Sequence, residues 1–493
     1  MKVDIKDYQY VWYKTEKPAV PPFEVTLDYH SPSLLKISRR VKANYIAYKI
    51  LHELPSIKTI LQRDIHIKEN STQTLLEELE RVVFNFTSTI YPWLSTENKP
   101  ISIHQLQLQY LASNKSGIVM TSGRKHFKYL LHAITSLRTV LNCALPIEVH
   151  FGGDGDLPKE MIQHLHGLTN VSTVDLLLRF PSEIRRFDGW SLKPFAMLAS
   201  GMCLSFSVSI KDSLLFTDSL FVIHPTEFRN VIFIDTDVLF FKDPAAILIN
   251  SPIFTQYGQL FFHDRNMQRE LLTSWFKTNN PHLSRYSSML RYAKNVSYHE
   301  QESGVVVLDK SRSGILHSLL FVCKLNSIEV REETYRNMYG DKETFWMGME
   351  LTRVPFRFVP GFSGALGYRN NTRVCGSLFH TDEMGRPLWW NGGILMKKHK
   401  SDEWFMKFEA VAVDTDFGKE KWEAETNWAP YCFTPVHPSR EVRKVSMEEQ
   451  MIGKEYIRLW KSVKEDYQKV EDAIVERERK QVEWDRVHHV NGF

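Results

Sequence analysis

Two aspartates, Asp235 and Asp237, stand one residue apart directly after an apolar run at residues 231–234. The β-branched and aromatic residues of this run predict a strand that is buried on both faces of a parallel sheet. Ligands of open α/β sheets bind beyond the carboxyl ends of strands, and strand residues i and i+2 share a face. The two carboxylates, together with the oxygens of a bound diphosphate, would therefore suit Mg²⁺ or Mn²⁺. The alternative is that they are solvated loop carboxylates.

Alternating strand and helix patterns surround this pair. Apolar runs and period-two alternation predict strands, and apolar residues at three- and four-residue steps predict helices. The predicted strands lie near 117–121, 147–151, 174–178, 231–234 and 301–309, and the predicted helices near 127–141, 158–166, 193–199 and from 340 onward. This order indicates an α/β fold with a doubly wound mixed sheet.

Bulk composition narrows the class of protein. The chain has 493 residues, 43% hydrophobic and 24% charged, which is an ordinary globular balance. Its formal charge of +4 is small for this length and argues against a nucleic-acid partner bound through a basic face. The five cysteines lack zinc-like spacing and neither require nor exclude one or two disulfides.

Six Asn-x-Ser/Thr sequons are a weak indication of the secretory pathway. They begin at Asn70, Asn85, Asn114, Asn170, Asn295 and Asn370. The first residues are polar and carry no signal sequence or membrane-spanning segment. We expect an extended arm over residues 1–50, a helical stem or subdomain over 51–115, and a charged helix from 452 to 490.

Six segments together resemble the fungal α-mannosyltransferase family of the Golgi. They are residues 117–125, 190–200, 228–244, 300–309, 340–346 and 380–393. Members of that family add α-1,2- or α-1,3-linked mannose to mannan and to N- or O-glycans. The resemblance implies a GT-A-like nucleotide-sugar fold over residues 116–440, followed by a charged helical segment at 441–493. It also implies GDP-mannose as the donor, Mn²⁺ as the cofactor with Mg²⁺ as the alternative, and retention of anomeric configuration.

The resemblance assigns metal and nucleotide roles. Asp237 is the expected direct metal ligand, Asp235 binds the metal or the ribose, and the late His380 is the candidate third ligand. Arg124 and Lys125 follow the first strand, where such folds hold the nucleotide; the alternative is a solvated helix start. Lys193 would pair with donor phosphate, unless it is an ordinary surface lysine. A core or capping histidine is the alternative for His380.

Acidic and aromatic residues are the candidates for the sugar. Glu302, Asp341 and Glu343 would orient hydroxyls of the donor sugar, stabilise an oxocarbenium-like centre or supply a nucleophile. Helix capping is the alternative for Asp341 and Glu343. No general base is named, because in retaining enzymes the leaving phosphate can take the acceptor proton. Trp390 and Asn391, with the neighbouring Trp389, would form a sugar platform or belong to the core. A structural salt bridge is expected for residues 263–265.

Two features depart from the family pattern. About 26 residues near 201–226 separate the segment of Lys193 from the segment of Asp237. We interpret them as a surface insertion or as a gene-model artefact. The second departure is the missing membrane anchor: family members are usually type II Golgi membrane proteins. We expect either a start downstream of the true N-terminus, with a Golgi location, or a soluble form.

Three functions remain open at this stage. The first is metal-dependent transfer of mannose from GDP-mannose to a mannose-containing glycan acceptor, with complexes of related transferases as a further expectation. The second is a related transferase that uses another donor, such as a UDP-sugar. The third is a non-catalytic glycan-binding relative, disabled by the residues at 201–226.

Overall fold

The computed structural model describes residues 34–53, 69–96, 99–100, 102–184, 189–200, 228–266, 272–297, 299–397, 403–414, 421–424 and 430–489. The predicted insertion at 201–226 lies outside these residues. So does most of the N-terminal arm.

Sixteen strands occur in the described residues. They are β1 (Ser95–Thr96), β2 (Lys99–Pro100), β3 (Lys115–Thr121), β4 (Ile147–Phe151), β5 (Val171–Asp175), β6 (Phe228–Ile234), β7 (Val238–Phe240), β8 (Gln259–His263), β9 (Gln301–Asp309), β10 (Gly364–Asn370), β11 (Arg373–Thr381), β12 (Pro387–Asn391), β13 (Ala410–Ala412), β14 (Lys421–Ala424), β15 (Tyr431–Thr434) and β16 (Val442–Lys444).

Sixteen α-helices accompany these strands in the same part of the chain. They are α1 (Leu34–His52), α2 (Glu69–Ile90), α3 (Ile103–Ala112), α4 (Phe127–Thr139), α5 (Lys159–His166), α6 (Leu176–Arg179), α7 (Pro181–Ile184), α8 (Leu192–Ala199), α9 (Pro244–Leu248), α10 (Pro252–Tyr257), α11 (Leu272–Asn279), α12 (Ser313–Leu325), α13 (Ile328–Arg336), α14 (Thr344–Thr352), α15 (Pro438–Glu441) and α16 (Met447–His489). Every described helix is too short or too polar to cross a lipid bilayer.

A six-stranded mixed sheet is the framework of the fold. Its strand order is β5-β4-β3-β6-β9-β8. Strands β3 to β6 run parallel, whereas β9 is antiparallel to both β6 and β8. Residues of β6 alternate between two buried clusters: Val231 and Phe233 lie in one, Ile232 and Ile234 in the other. Apolar layers therefore cover both faces of the sheet, as the continuous apolar run predicts, and the predicted doubly wound mixed α/β sheet is confirmed.

A second, antiparallel sheet joins the first directly after the paired aspartates. Strand β7 pairs with β12, and β12 pairs with β11, which continues into β10, β13 and β16 on one side and β15 and β14 on the other. Cys375 of β11 lies opposite Cys432 of β15, and the two form a disulfide. Cys143 and Cys323 are free and buried. The second sheet therefore brings residues 380–391 back toward the end of β6.

Two local predictions differ from the structure. Leu176 and Leu178 were predicted in a strand, but β5 ends at Asp175 and both residues lie in α6. The Asp175 side chain accepts a hydrogen bond from the backbone N of Leu177 and so begins that helix. Residues 34–50 were predicted to be extended, but they belong to α1, which buries Ile37, Val41 and Tyr48.

The C-terminal helix α16 packs along the fold rather than standing free in solvent. Tyr456 and Trp460 are buried in one apolar cluster, and Val463 and Ile474 in another. The Tyr456 hydroxyl donates to the backbone O of Phe240 at 2.6 Å. The helix is charged, as predicted, but its buried stripe ties it to the strand that follows the paired aspartates.

Candidate active site

The paired aspartates lie in the turn between β6 and β7. The backbone N of Asp235 donates to the O of Gly304 at 2.9 Å, which ties this turn to β9. Because β9 is antiparallel to β6, its first residues begin where β6 ends. The polar side chains at the beginning of β9 therefore lie close to the paired aspartates.

Two glycines hold the other side of the turn. The backbone N–H groups of Gly392 and Gly393 both donate to the O of Asp237, at 3.0 and 2.6 Å. Their φ angles are +120° and +69°, in the region that side chains other than glycine rarely adopt. Both N–H groups can point at one carbonyl because of this conformation. The Gly-Gly pair after β12 therefore positions Asp237.

Lys193 is the buried cation of the site. Its Nζ lies 2.8 Å from Oδ2 of Asp235, 3.3 Å from the hydroxyl of Ser303 and 3.7 Å from Oδ2 of Asp341. It sits in the first turn of α8, and its side chain is only 6% exposed. Burial lowers the pKa of Lys193, but the surrounding carboxylates outweigh burial and the net pKa is raised. The ammonium group of Lys193 is thus paired with carboxylates of the protein itself.

The protonation of Asp235 responds to this environment. Burial raises its pKa, Lys193 lowers it and Asp237 raises it, with a net pKa of about 6. The pKa of Asp341 is also raised, mainly by burial, against the opposing effect of Lys193. Oδ2 of Asp341 is buried and accepts no hydrogen bond from the described residues. It is an acceptor that a ligand hydroxyl could satisfy.

Glu302 and Lys342 form a second charged group beside the first. Oε1 of Glu302 accepts from the backbone N of Gly304 at 2.8 Å and from Nδ2 of Asn391 at 2.9 Å. Lys342 donates to Oε2 of Glu302 at 2.9 Å and to Oδ2 of Asp264 at 2.8 Å. Glu302 is only 1% exposed. Its carboxylate is held in place by these three hydrogen-bond donors.

Lys342 and Ser303 were not among the sequence candidates. Both lie inside the segments that carry the family resemblance, and Lys342 stands between two candidates, Asp341 and Glu343. A lysine among acidic residues at a helix start was the available signal. The salt bridge expected at residues 263–265 is present, since His299 and Lys342 both pair with Asp264.

Glu343 is held by three hydrogen-bond donors. It accepts hydrogen bonds from the backbone N of Glu300 at 2.9 Å and of Gln301 at 3.3 Å, and from Nε1 of Trp346. Burial outweighs these donors and raises the pKa of Glu343 to about 8. The residue precedes α14 and joins it to β9.

His380 lies among aromatic rings. Its imidazole stacks on Trp389 with 3.9 Å between ring centroids and contacts the edge of Phe262 at 5.7 Å. Burial lowers its pKa to about 3, so the ring is neutral at pH 7. Its Nε2 is buried and has no hydrogen-bond partner in the described residues. Across the described ranges, no three His, Cys, Asp or Glu side chains are gathered as a ready cation site.

The remaining candidates lie in three different settings. Trp390 is fully buried against Phe241, and its Nε1 donates to the O of Gly393 at 2.9 Å. Lys125 is exposed at the carboxyl end of β3. Arg124 donates from Nε to Glu471 and from Nη1 to Glu478, both at 2.9 Å, so its guanidinium is bonded to α16.

The sequence is similar to those of several fungal proteins. The chain is 25% identical over 305 residues to "Putative alpha-1,3-mannosyltransferase MNN13" of Candida albicans, covering 55% of this chain and 37% of that protein. It is 24% identical over 336 residues to "Probable alpha-1,3-mannosyltransferase MNT4" of Saccharomyces cerevisiae, covering 62% and 54%. The matches thus span about a third to a half of each relative.

Among solved structures, a similar chain is the mannosyltransferase Ktr4p from S. cerevisiae, at 12% identity and a TM-score of 0.31, with 54% of this chain and 80% of that chain covered. The family described as "Mannosyltransferase putative" matches residues 115–384, which include every candidate site residue up to His380. That match covers more than half of the sequence. The chain belongs to this mannosyltransferase family.

Proposed function

We propose that this chain transfers mannose from GDP-mannose to a mannose-containing glycan acceptor, with retention of anomeric configuration. The names of the relatives favour an α-1,3 linkage over α-1,2. The observation that carries the proposal is the placement of Asp235 and Asp237 at the carboxyl end of β6, with Lys193, Asp341 and Glu302 converging beside them. This is the edge of the sheet at which α/β folds bind ligands.

Asp235 and Asp237 are the proposed ligands of Mn²⁺, because two carboxylates one residue apart offer hard oxygen donors. His380, the expected third ligand, is not gathered with them in the described part of the chain, so oxygens of the donor diphosphate would complete the coordination. When bound, the cation would offset the negative charge that develops on the diphosphate as it leaves. Lys193 fixes the Asp235 carboxylate by a 2.8 Å contact, so one ligand is positioned before the donor arrives. In this proposal Lys193 is a positioning residue and does not bind phosphate.

In this proposal the acidic residues beside the paired aspartates interact with the donor sugar. The unsatisfied Oδ2 of Asp341 accepts a hydroxyl of the donor mannose. Glu302, held by Lys342, Gly304 and Asn391, places a fixed negative charge near the anomeric centre and stabilises an oxocarbenium-like transition state. Glu343 supports the start of α14. Lys125, exposed beyond β3, contacts the nucleotide, whereas Arg124 anchors α16.

The decisive test is release of GDP from GDP-mannose with and without Mn²⁺. We expect Mn²⁺-dependent release in the wild type and a loss of at least a hundredfold in Asp237→Ala, because the direct ligand is gone. Asp466→Ala, which removes a carboxylate of α16, is the matched control. Parallel assays with UDP-sugars test the alternative donor. Mannose oligosaccharide binding without any donor turnover would support the non-catalytic alternative instead.

We further propose a location in the lumen of the Golgi. The Cys375–Cys432 disulfide is typical of proteins that fold in an oxidising compartment. The sequon residues Asn85, Asn114 and Asn295 are exposed and accessible to glycosylation. Digestion of the protein from its native host with an N-glycosidase should lower its apparent mass. An unchanged mass would count against this location.

A further inference from the structure

Two large aromatic side chains lie exposed beside the candidate active site. Trp190 is 48% exposed and Tyr339 is 54% exposed. Their ring centroids are 5.1 Å apart, at an interplanar angle of 44°. They come from separate parts of the chain, the turn before α8 and the segment before Asp341. The fold thus brings together two rings that face solvent.

The backbone is shaped to allow this pairing. Gly340 has a φ angle of +66°, and a Cβ atom at this position would lie 2.8 Å from a ring carbon of Trp190. Any larger residue would push the indole away. On its other side, Tyr339 lies 5.8 Å from the ring of His299, whose Nδ1 is 3.2 Å from Asp264. The pair is therefore built into the charged network rather than resting on a loose loop.

Both rings lie within a few residues of the reacting groups. Trp190 precedes Lys193 by three residues, and Tyr339 precedes Asp341 by two. Chain geometry limits these separations to about 10 and 7 Å between Cα atoms. The Nζ of Lys193 and Oδ2 of Asp341 are 3.7 Å apart. The aromatic pair consequently forms a rim on the carboxylate cluster.

We propose that Trp190 and Tyr339 form an acceptor subsite that stacks against the apolar face of a pyranose ring of a mannose oligosaccharide. This inference rests on the proposed function and extends it to the acceptor. Aromatic faces carry partial negative charge, and the polarised C–H groups of a sugar face complement them. Stacking also removes from water apolar ring surface that the free protein leaves exposed.

The test combines acceptor kinetics with direct binding. For Trp190→Ala and Tyr339→Ala we expect the KM for α-mannotriose to rise about tenfold, the contribution of one well-packed ring, while kcat changes less. Trp190→Phe and Tyr339→Phe should restore most of the affinity, since each keeps a ring. Trp484→Ala is the matched control, because Trp484 is an exposed tryptophan on α16.

Saturation-transfer NMR with α-mannotriose provides a readout that does not depend on catalysis. Signals of the sugar ring protons should weaken in both alanine variants and persist in Trp484→Ala. If both alanine variants keep KM and sugar signals within twofold of the wild type, the subsite is refuted. A wild type without GDP release refutes the proposed function instead, and the NMR comparison still decides whether these two rings bind the oligosaccharide.

Discussion

The Nζ of Lys193 and Oδ2 of Asp235 are 2.8 Å apart, with the lysine side chain buried and the aspartate side chain partly buried. This ion pair joins the first turn of α8 to the end of β6, and its two residues are 42 positions apart in the sequence. Oδ2 of Asp341 lies 3.7 Å from the same Nζ, so two carboxylates share one ammonium group. Asp235 of the candidate metal site and Asp341 of the candidate sugar site therefore share the ammonium group of Lys193.

Replacing Lys193 should destabilise the protein strongly. Lys193→Met leaves two carboxylates with no counter-charge, and the unfolding free energy should fall by about 3–5 kcal/mol. Lys193→Arg keeps the positive charge, so its unfolding free energy should fall by less than that of Lys193→Met. Urea unfolding followed by circular dichroism measures both, with Lys461→Met as an exposed lysine control. A Met variant as stable as the wild type would mean that the pair contributes no net stability.

Glu343 should make stability depend on pH between about 4.5 and 8. Its pKa rises from 4.5 to about 8 on folding. Within this window the folded protein holds a proton that the unfolded chain has released, so this group's contribution to the unfolding free energy falls as pH rises. The slope is at most about 1.4 kcal/mol per pH unit.

Glu343→Gln carries no titrating proton and should remove this slope while keeping most of the turnover. The comparison is a series of urea unfolding curves from pH 5 to 8. Glu332→Gln, an exposed glutamate of α13, serves as the control. A complete loss of GDP release in a stably folded Glu343→Gln would assign this carboxyl a chemical role instead of a structural one.

The paired aspartates and the sheet were predictable because their signals are local. An apolar run followed by Asp-x-Asp indicates a buried strand that ends at a ligand-binding edge, and Asp235 and Asp237 occupy that position. The helical position of Leu178 was missed because three consecutive leucines carry no period. The helix begins there with a hydrogen bond that the backbone N of Leu177 donates to the Asp175 side chain.

The partners of the charged residues were not predictable, since they depend on contacts distant in sequence. Nothing local to Lys193 indicates that Asp235 rather than a phosphate would bind it. Pairing of Cys375 with Cys432 follows from the register of β11 and β15, which cysteine spacing does not determine. Arg124 meets α16 nearly 350 residues later.

Arg124 should matter for the docking of α16 more than for the nucleotide. Arg124→Ala removes hydrogen bonds to Glu471 and Glu478, so amide hydrogen exchange in the second half of α16 should accelerate. The affinity for GDP should change less than twofold. Arg458→Ala, whose partner Glu455 lies on the same helix, is the control. If Arg124→Ala weakens GDP binding and leaves amide hydrogen exchange unchanged, Arg124 contacts the nucleotide instead of anchoring α16.

The disulfide should stabilise the second sheet. It closes a loop with a sequence separation of 57, and its loss should lower the unfolding free energy by about 2–4 kcal/mol. Thermal unfolding with and without dithiothreitol measures this in the wild type. The Cys375→Ser, Cys432→Ser double variant should match the reduced wild type and show no response to reductant. Equal stability of the oxidised and reduced wild type would contradict the expectation.

Lys342 and Glu302 should behave as one coupled unit. Lys342→Met leaves Glu302 and Asp264 without their shared ammonium, and we expect a loss of about 3–5 kcal/mol in unfolding free energy together with most of the turnover. Glu302→Gln keeps an oxygen for the backbone N of Gly304, so it should lower kcat more than stability.

The double variant separates a structural pair from two independent residues. Once Glu302 is neutral, Lys342→Met leaves only one buried carboxylate without its ammonium, and Asp264 still has His299 at 3.2 Å. The loss of unfolding free energy in the double variant should therefore be smaller than the sum of the two single losses by at least about 1 kcal/mol. Additive losses would mean that Lys342 acts on Asp264 alone, and that Gly304 and Asn391 suffice to hold the Glu302 carboxylate beside the paired aspartates.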